Sequence, residues 1–465
     1  MSDRTRMLRG GARALTGLLV IAAAGAAVVA VGSLTLPEVT RAPQPIVVDT
    51  TQNTNRTLVC AGAFSVLGAD EERPGAAIPV GSPAVTVAGE AAGTASLDRA
   101  EGGKGLPAVI SAPIAEPLAA AQLQSVRGDQ LRGATASACA EPLNEQWLLG
   151  GGSNLGVSTT LSLGNPGGVP ATVEISVYDE NGAVDAAQSA GVLIAPGTEQ
   201  TVSLNGYAPD RERFAVRVVS TGAPVTASMG IAHRFGLEAY GVSSVGRQVE
   251  PATRLVIPGV ANESDHERGP SDSGEGDDYP VLIRAFAPGG SETTVRARAI
   301  DANGGSTELG ELSLAPGAVG ELSLKTWPTS ANAVVIEADA PVLASVLGSA
   351  TKGSEHDYEW FVPAPEMAAG EPVAAAVVPG GKLVLVNSGV AAASVEVRAA
   401  DGKAKPRTVS VPAGAAVTVS APANAVLESS APITAGVRYL KDADIAAYPV
   451  IAPDPRAGEL TVFTR

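Results

Sequence analysis

An all-β body of tandem immunoglobulin-like β-sandwich repeats, set behind a single N-terminal transmembrane helix, is the architecture this sequence predicts. Three observations carry it. A set of landmarks recurs three times along the chain. Apolar residues inside each copy alternate with period two, the signature of strands with one buried face. One long uncharged apolar run near the N-terminus follows a cluster of arginines.

Residues 1–13 form a short tail carrying Arg4, Arg6, Arg9 and Arg13. Residues 14–37 carry no charge, and the run LTGLLVIAAAGAAVVAVGSLTL is long enough to cross ~30 Å of hydrocarbon as a helix. The first charge after it is Glu38. Positive charge on one side only places the N-terminus in the cytoplasm and the body outside. A cleaved signal peptide is the alternative, but its apolar core usually spans only ~7–15 residues. Residues 38–56 read as a polar spacer lifting the body off the membrane.

The repeats begin at Leu161 with LSLGNPGGVPATVEISVYDENG, at Val281 with VLIRAFAPGGSETTVRARAIDANG, and at Leu383 with LVLVNSGVAAASVEVRAADG. Each copy alternates, through Val173, Ile175 and Val177, through Val295, Ala297 and Ala299, and through Val395 and Val397. Each then reaches a turn signal, at Asp179 to Gly182, Asp301 to Gly304 and Asp401-Gly402, where Asp, Asn and Gly suit tight backbone reversal. A Pro-Gly or Pro-Ala-Gly element follows, and then an Ala-Pro pair at Pro224, Pro341 and Pro432, with proline at the first residue of a strand. A shorter theme, Leu58 to Cys60, Trp147 to Gly151, Val256 to Gly259 and Val377 to Gly380, suggests a fourth, divergent unit at the front. The expected organisation is thus 57–142 for the divergent unit, then repeats over 143–254, 255–375 and 376–465. A repeat of ~100 residues suits an immunoglobulin-like sandwich. A β-propeller, with blades of ~40–50 residues, is the competing arrangement.

Composition narrows the function. Hydrophobic residues make up 45% of the chain but aromatic ones only 3%, so Ala, Val, Leu and Ile must fill the cores. The formal net charge is −16, which repels phosphate backbones and disfavours nucleic-acid binding. Cys60 and Cys139 are the only cysteines, and outside the cytoplasm a disulfide between them is expected.

The anchor, Cys60, Cys139, Trp147 to Gly152, Asn165-Pro166 and the three repeats together resemble an actinobacterial family of membrane-anchored, extracytoplasmic proteins described only as a domain of unknown function. The resemblance covers most of the chain past the anchor. It implies location and fold, and it implies no activity.

Residues with catalytic potential are few. His233, His266 and His356 have no zinc-binding spacing between them. Ser349-Ala350-Thr351-Lys352 matches S-x-x-K, but it is expected in a loop before Glu355, and the partner motifs of that chemistry are missing. Gly150 to Gly156 is glycine-rich without phosphate-cradling spacing, and reads as a loop leading into a strand. Glu263 to Asp278 is acidic enough to gather calcium, but reads first as a solvated insertion. Arg127-Gly128-Asp129 is a three-residue match of no weight. These readings predict no catalytic residue, no metal and no cofactor. They predict a non-enzymatic scaffold or binding module in the cell envelope, whose partner is an envelope glycan, its synthesis machinery or another membrane protein. An envelope hydrolase or transferase, and a secreted soluble binding protein, are the alternatives.

Overall fold

The computed structural model describes residues 55–452 apart from 69–71, 73–75, 100–101, 115, 129–130, 185–190, 237 and 265–280, together with the strands Gln44–Asp49 and Glu459–Thr464. The expected anchor lies outside the described residues except for Ala22, Ala23, Gly25 and Ala26, which are helical. Among the described residues no helix is long and apolar enough to cross a membrane. The two outlying strands pair antiparallel, from Gln44 with Thr464 to Asp49 with Glu459, in a ribbon that belongs to a separate compact unit from the body.

The body is all-β, as the alternation requires. In its second unit one sheet holds Glu145–Leu149, Ala215–Gly222, Ala171–Asp179 and the short strands Gly182–Ala183 and Val192–Ile194. The other holds Glu238–Val245, Thr226–Phe235, Val157–Asn165 and Thr198–Ser203. Counted along the chain, with the two short strands taken together as the fourth, the spatial order is 1-6-3-4 in the first sheet and 8-7-2-5 in the second. The third unit (Ala252–Pro258 to Glu355–Phe361) and the fourth (Val373–Ala376 to Asp444–Pro449) show the same order. The first unit keeps strands 1-6-3 and 8-7-2, from Asn55–Val59 to Arg132–Ala138.

The landmarks explain these strands. Val173, Ile175 and Val177 are buried while Glu174 is exposed, and these residues pack with Leu161 and Leu163 of the facing sheet. Each such side chain gains roughly 1.5–3 kcal/mol on burial. At all three expected turns an aspartate accepts a backbone N–H two residues on, Asp179 from Asn181, Asp301 from Asn303 and Asp401 from Lys403. Pro341 departs from expectation. It lies inside one long strand, Ala331–Lys352, which pairs in the first sheet up to Ala338 on one edge and, after a register shift, at Val342 on the other, and in the second sheet from Leu343. Proline's missing N–H falls where the strand passes from one sheet to the other, so no ladder bond is lost.

The units close into a ring. Their eighth strands contact one another in cyclic order, first to second, second to third, third to fourth and fourth back to first. Each core is completed by the next unit. Tyr358, Trp360 and Val362 of the third unit join the core of the second. Ile445 and Ala447 of the fourth join that of the third. Ala88, Ala121, Ala134 and Ala136 of the first join that of the fourth. Ala232 and Val242 of the second pack with Phe64 and Val126 of the first. The choice between sandwich and propeller was therefore too sharp: paired sheets repeat, and the pairs themselves encircle an axis. Cys60 and Cys139 are joined by a disulfide with their Cα atoms 4.0 Å apart, tying the outer strand of the first unit to its axial strand.

Candidate functional site

The axial strands meet at Asp357. Its Oδ1 accepts the N–H groups of Val242 and Tyr358, both at 3.0 Å, and its Oδ2 accepts those of Ala134 at 2.8 Å and Ile445 at 3.1 Å. One carboxyl thus takes a backbone donor from each of the four units. Such close approach demands glycine opposite: a Cβ on Gly133 would stand 2.1 Å from Oδ1 of Asp357. Glu359, two residues on, faces the same axis and accepts the Ser243 hydroxyl at 3.2 Å. Its Oε1 has no hydrogen-bond partner among the described residues.

Burial raises both carboxyl groups well above their usual range. At Asp357 the backbone N–H groups oppose that shift. At Glu359 the Asp357 charge adds to it, while the Ser243 hydroxyl and the Ala447 N–H oppose it. A folded-state acid raised in this way holds a proton that the unfolded chain, with a glutamate pKa of ~4.3, has already released. Its contribution to stability therefore falls as pH rises above that value. His233 carries the opposite sign: burial, then the Arg284 charge, lower it to about 4, so its contribution falls as pH drops from 6.5 toward that value. Glu359→Gln, which cannot titrate, should flatten the alkaline side of the stability profile and leave the acid side unchanged. Denaturant midpoints measured from pH 5 to 9 check this. A variant with the same alkaline slope as the parent would show that Glu359 does not carry it.

Around this axis the residues singled out from sequence are dispersed. His233 is half-buried, edge-on to Tyr358 with ring centroids 4.9 Å apart. His356 stacks on Tyr240 at 4.1 Å. His266 and most of the acidic run Glu263 to Asp278 lie outside the described residues, where only Glu263–Ser264 forms a short strand beside Ala350 and Thr351. Ser349 and Lys352 are not in a loop, as expected, but end the strand Ala331–Lys352. Three residues apart on a strand, they face opposite ways. Ser349 is fully buried, and Lys352 pairs with Asp442 at 2.5 Å. The glycine-rich loop receives a cation: the Gly151 carbonyl accepts from Arg284, whose guanidinium lies 4.4 Å from the Trp360 ring and pairs with Glu321 at 2.5 Å. Arg127 is held by Asp444 at 2.6 Å.

Two concave surfaces lie at one end of the axis, where the linkers between units run. One encloses about 320 Å³ between Leu58, Ala120, Ala138, Ala374 to Ala376 and Tyr448. The other encloses about 340 Å³ beside Leu255, Val256, Ala364 and Thr434. They share Arg247, Val249, Glu250, Pro365, Glu366, Pro449 and Ile451, so they are two lobes of one groove. Arg56 and Glu141 neutralise each other on its wall at 2.6 Å, and Arg247 donates to the Glu141 carbonyl. Glu250 and Glu366 are exposed at the shared rim and form no ion pair among the described residues. The groove can bind; its apolar walls and rim charges suit an extended ligand more than a reacting bond.

A family model matches residues 80–422, from just before the second strand of the first unit to the approach to the sixth strand of the fourth. The chain belongs to the DUF5719 family of unknown function. The DUF5719 match thus takes in part of every unit of the ring and most of the axial strands. No curated protein matches the chain. Asp357 and Glu359 were missed in the sequence. The available signal was two acidic residues at positions i and i+2, one just before and one within the mostly apolar stretch Tyr358 to Val362, a spacing that puts both on one strand face.

Proposed function

We propose that this DUF5719 protein is a non-enzymatic, membrane-anchored envelope protein whose extracytoplasmic ring serves as a scaffold and binding module. The observation that carries the reading is the two-lobed groove at one end of the axis, lined by linkers from several units. Asp357, which an enzyme reading would recruit, spends both carboxyl oxygens instead on joining the units. The Cys60–Cys139 disulfide supports an oxidising compartment. In this reading residues 14–37 are the anchor, the chain is actinobacterial, and the four units of the ring are immunoglobulin-like sandwiches, the first abbreviated. The partner is an envelope glycan or a membrane protein.

Crosslinking in intact cells followed by capture of the protein tests this. A specific envelope partner should be recovered, in the membrane fraction. Recovery of the protein from the culture medium would instead make it a secreted soluble binder. Alanine at His233, His266, Ser349, Lys352 or His356 should leave the cellular phenotype intact. A variant that folds and accumulates normally yet behaves as a null would replace the scaffold reading with that of an envelope hydrolase or transferase.

A further inference from the structure

The groove contains an unused sheet edge. The fourth unit's first strand, Val373–Ala376, bonds on one side to Asn424–Ser429, with Ala375 opposite Ala425. Val377 donates to the Ala423 carbonyl, so in this antiparallel pair Val373 and Ala375 bond inward while Ala374 and Ala376 present their N–H and C=O groups outward. The Ala376 carbonyl accepts from the Tyr448 hydroxyl at 2.7 Å. The Ala374 N–H and C=O and the Ala376 N–H have no partner among the described residues, although both alanines are only 3% exposed. Buried backbone groups are almost always paired.

The other units show what such an edge takes. The outer edge of each of their first strands bonds to the linker that follows the unit's own last strand. Val59 exchanges two bonds with Ala140, Trp147 exchanges two with Gln248, and the Val256 carbonyl accepts from Ala364 at 3.0 Å. In the fourth unit the last strand ends at Pro449, and of the residues that follow it Val450 donates to the Ala435 carbonyl while Ile451 and Ala452, which stand where Ala140, Gln248 and Ala364 stand in the other units, make no backbone bond to Val373–Ala376.

We infer that this edge is a docking site for an extended peptide segment of a partner protein, which adds a strand beside Val373–Ala376. The inference rests on the binding-module reading above and names the partner's chemistry. The alanines lining the lobe leave room for small apolar side chains and exclude bulky ones. Glu250 and Glu366 at the rim select a neighbouring Lys or Arg, as suits a chain of net charge −16. Backbone bonds give affinity and the flanking positions give selectivity.

The test is to pan a phage-displayed library of random heptapeptides against the folded full chain. Enriched peptides should carry a basic residue beside a run of small apolar ones. Saturating peptide should slow deuterium uptake in the fragment spanning residues 373–378. Ala374→Pro removes an outward N–H without touching the inward ladder, and should weaken binding about tenfold or more, the equivalent of 1.4 kcal/mol. Glu366→Lys, on the exposed rim where folding is not at stake, should weaken it independently. Matching melting curves for both variants and the parent confirm the fold. No enrichment over an unrelated target, or peptides that bind both variants like the parent, would overturn the proposal. A synthetic peptide of residues 453–465 that binds this edge in trans would overturn it too, by assigning the edge to the chain's own tail. If the edge fails while crosslinking in intact cells still recovers a partner, only the edge is wrong. The scaffold reading itself falls on the alanine variants above.

Discussion

Asp357→Ala should lower the unfolding free energy by on the order of 5 kcal/mol, the largest effect expected of any single substitution in this protein. The change strands four buried backbone N–H groups, those of Ala134, Val242, Tyr358 and Ile445. Each unsatisfied buried group costs roughly 1–3 kcal/mol, and relaxation keeps the sum below simple addition. Asp357→Asn retains one acceptor oxygen and turns its amide N–H groups toward two of the backbone donors. It should therefore recover only part of the loss. Chemical denaturation followed by tryptophan emission measures both, since Trp360 lies three residues from Asp357 in the same strand. A loss below ~1 kcal/mol for the alanine variant would mean that the axis holds together without this carboxyl.

Removing the disulfide is the second large effect. Cys60 and Cys139 are 79 residues apart, and closing a loop of that length stabilises by about 4 kcal/mol in the chain-entropy model. The double variant Cys60→Ala and Cys139→Ala should lose stability on that scale, and reductant should do the same to the parent. The first unit is the one to suffer, because among the described residues it shows no counterpart of the others' fourth and fifth strands, and the core next to the disulfide, around Leu58, Ile110 and Ala120, is small. Mass mapping of the non-reduced protein together with melting curves taken with and without reductant checks the bond and its weight. Two free thiols in protein recovered from outside the cell would contradict the assignment.

What the sequence revealed was local. Alternation at Val173, Ile175 and Val177 and the aspartates at Asp179, Asp301 and Asp401 act within one strand or one turn, so their pattern is visible in a single stretch of chain. The cysteine pair was legible because only one pairing was available. The ring was not legible, because its determinants join residues such as Ala134 and Asp357, which are 223 positions apart. Asp357 and Glu359 read as ordinary charges in a hairpin until the other three units surround them. The S-x-x-K match failed for a reason of parity: helix spacing puts Ser349 and Lys352 on one face, strand spacing puts them on opposite ones. The groove is invisible for the same reason as the ring, since its walls come from the segments that follow the last strands of all four units and from the first strands of three.

The closed ring has a consequence for how the chain reaches its native state. The first unit is synthesised first, yet Ala88, Ala121, Ala134 and Ala136 find their partners only in the fourth, around Leu383 and Val437. Arg127 waits for Asp444 across 317 positions. Contacts of such long sequence separation give a high contact order, and high contact order means slow folding. The early units must persist with unfinished cores until the last one arrives, and exposed apolar surface and unpaired edges in that interval favour misassembly. Folding of this protein is thus set by completion of its final unit, and truncation near the C-terminus should be felt in the first.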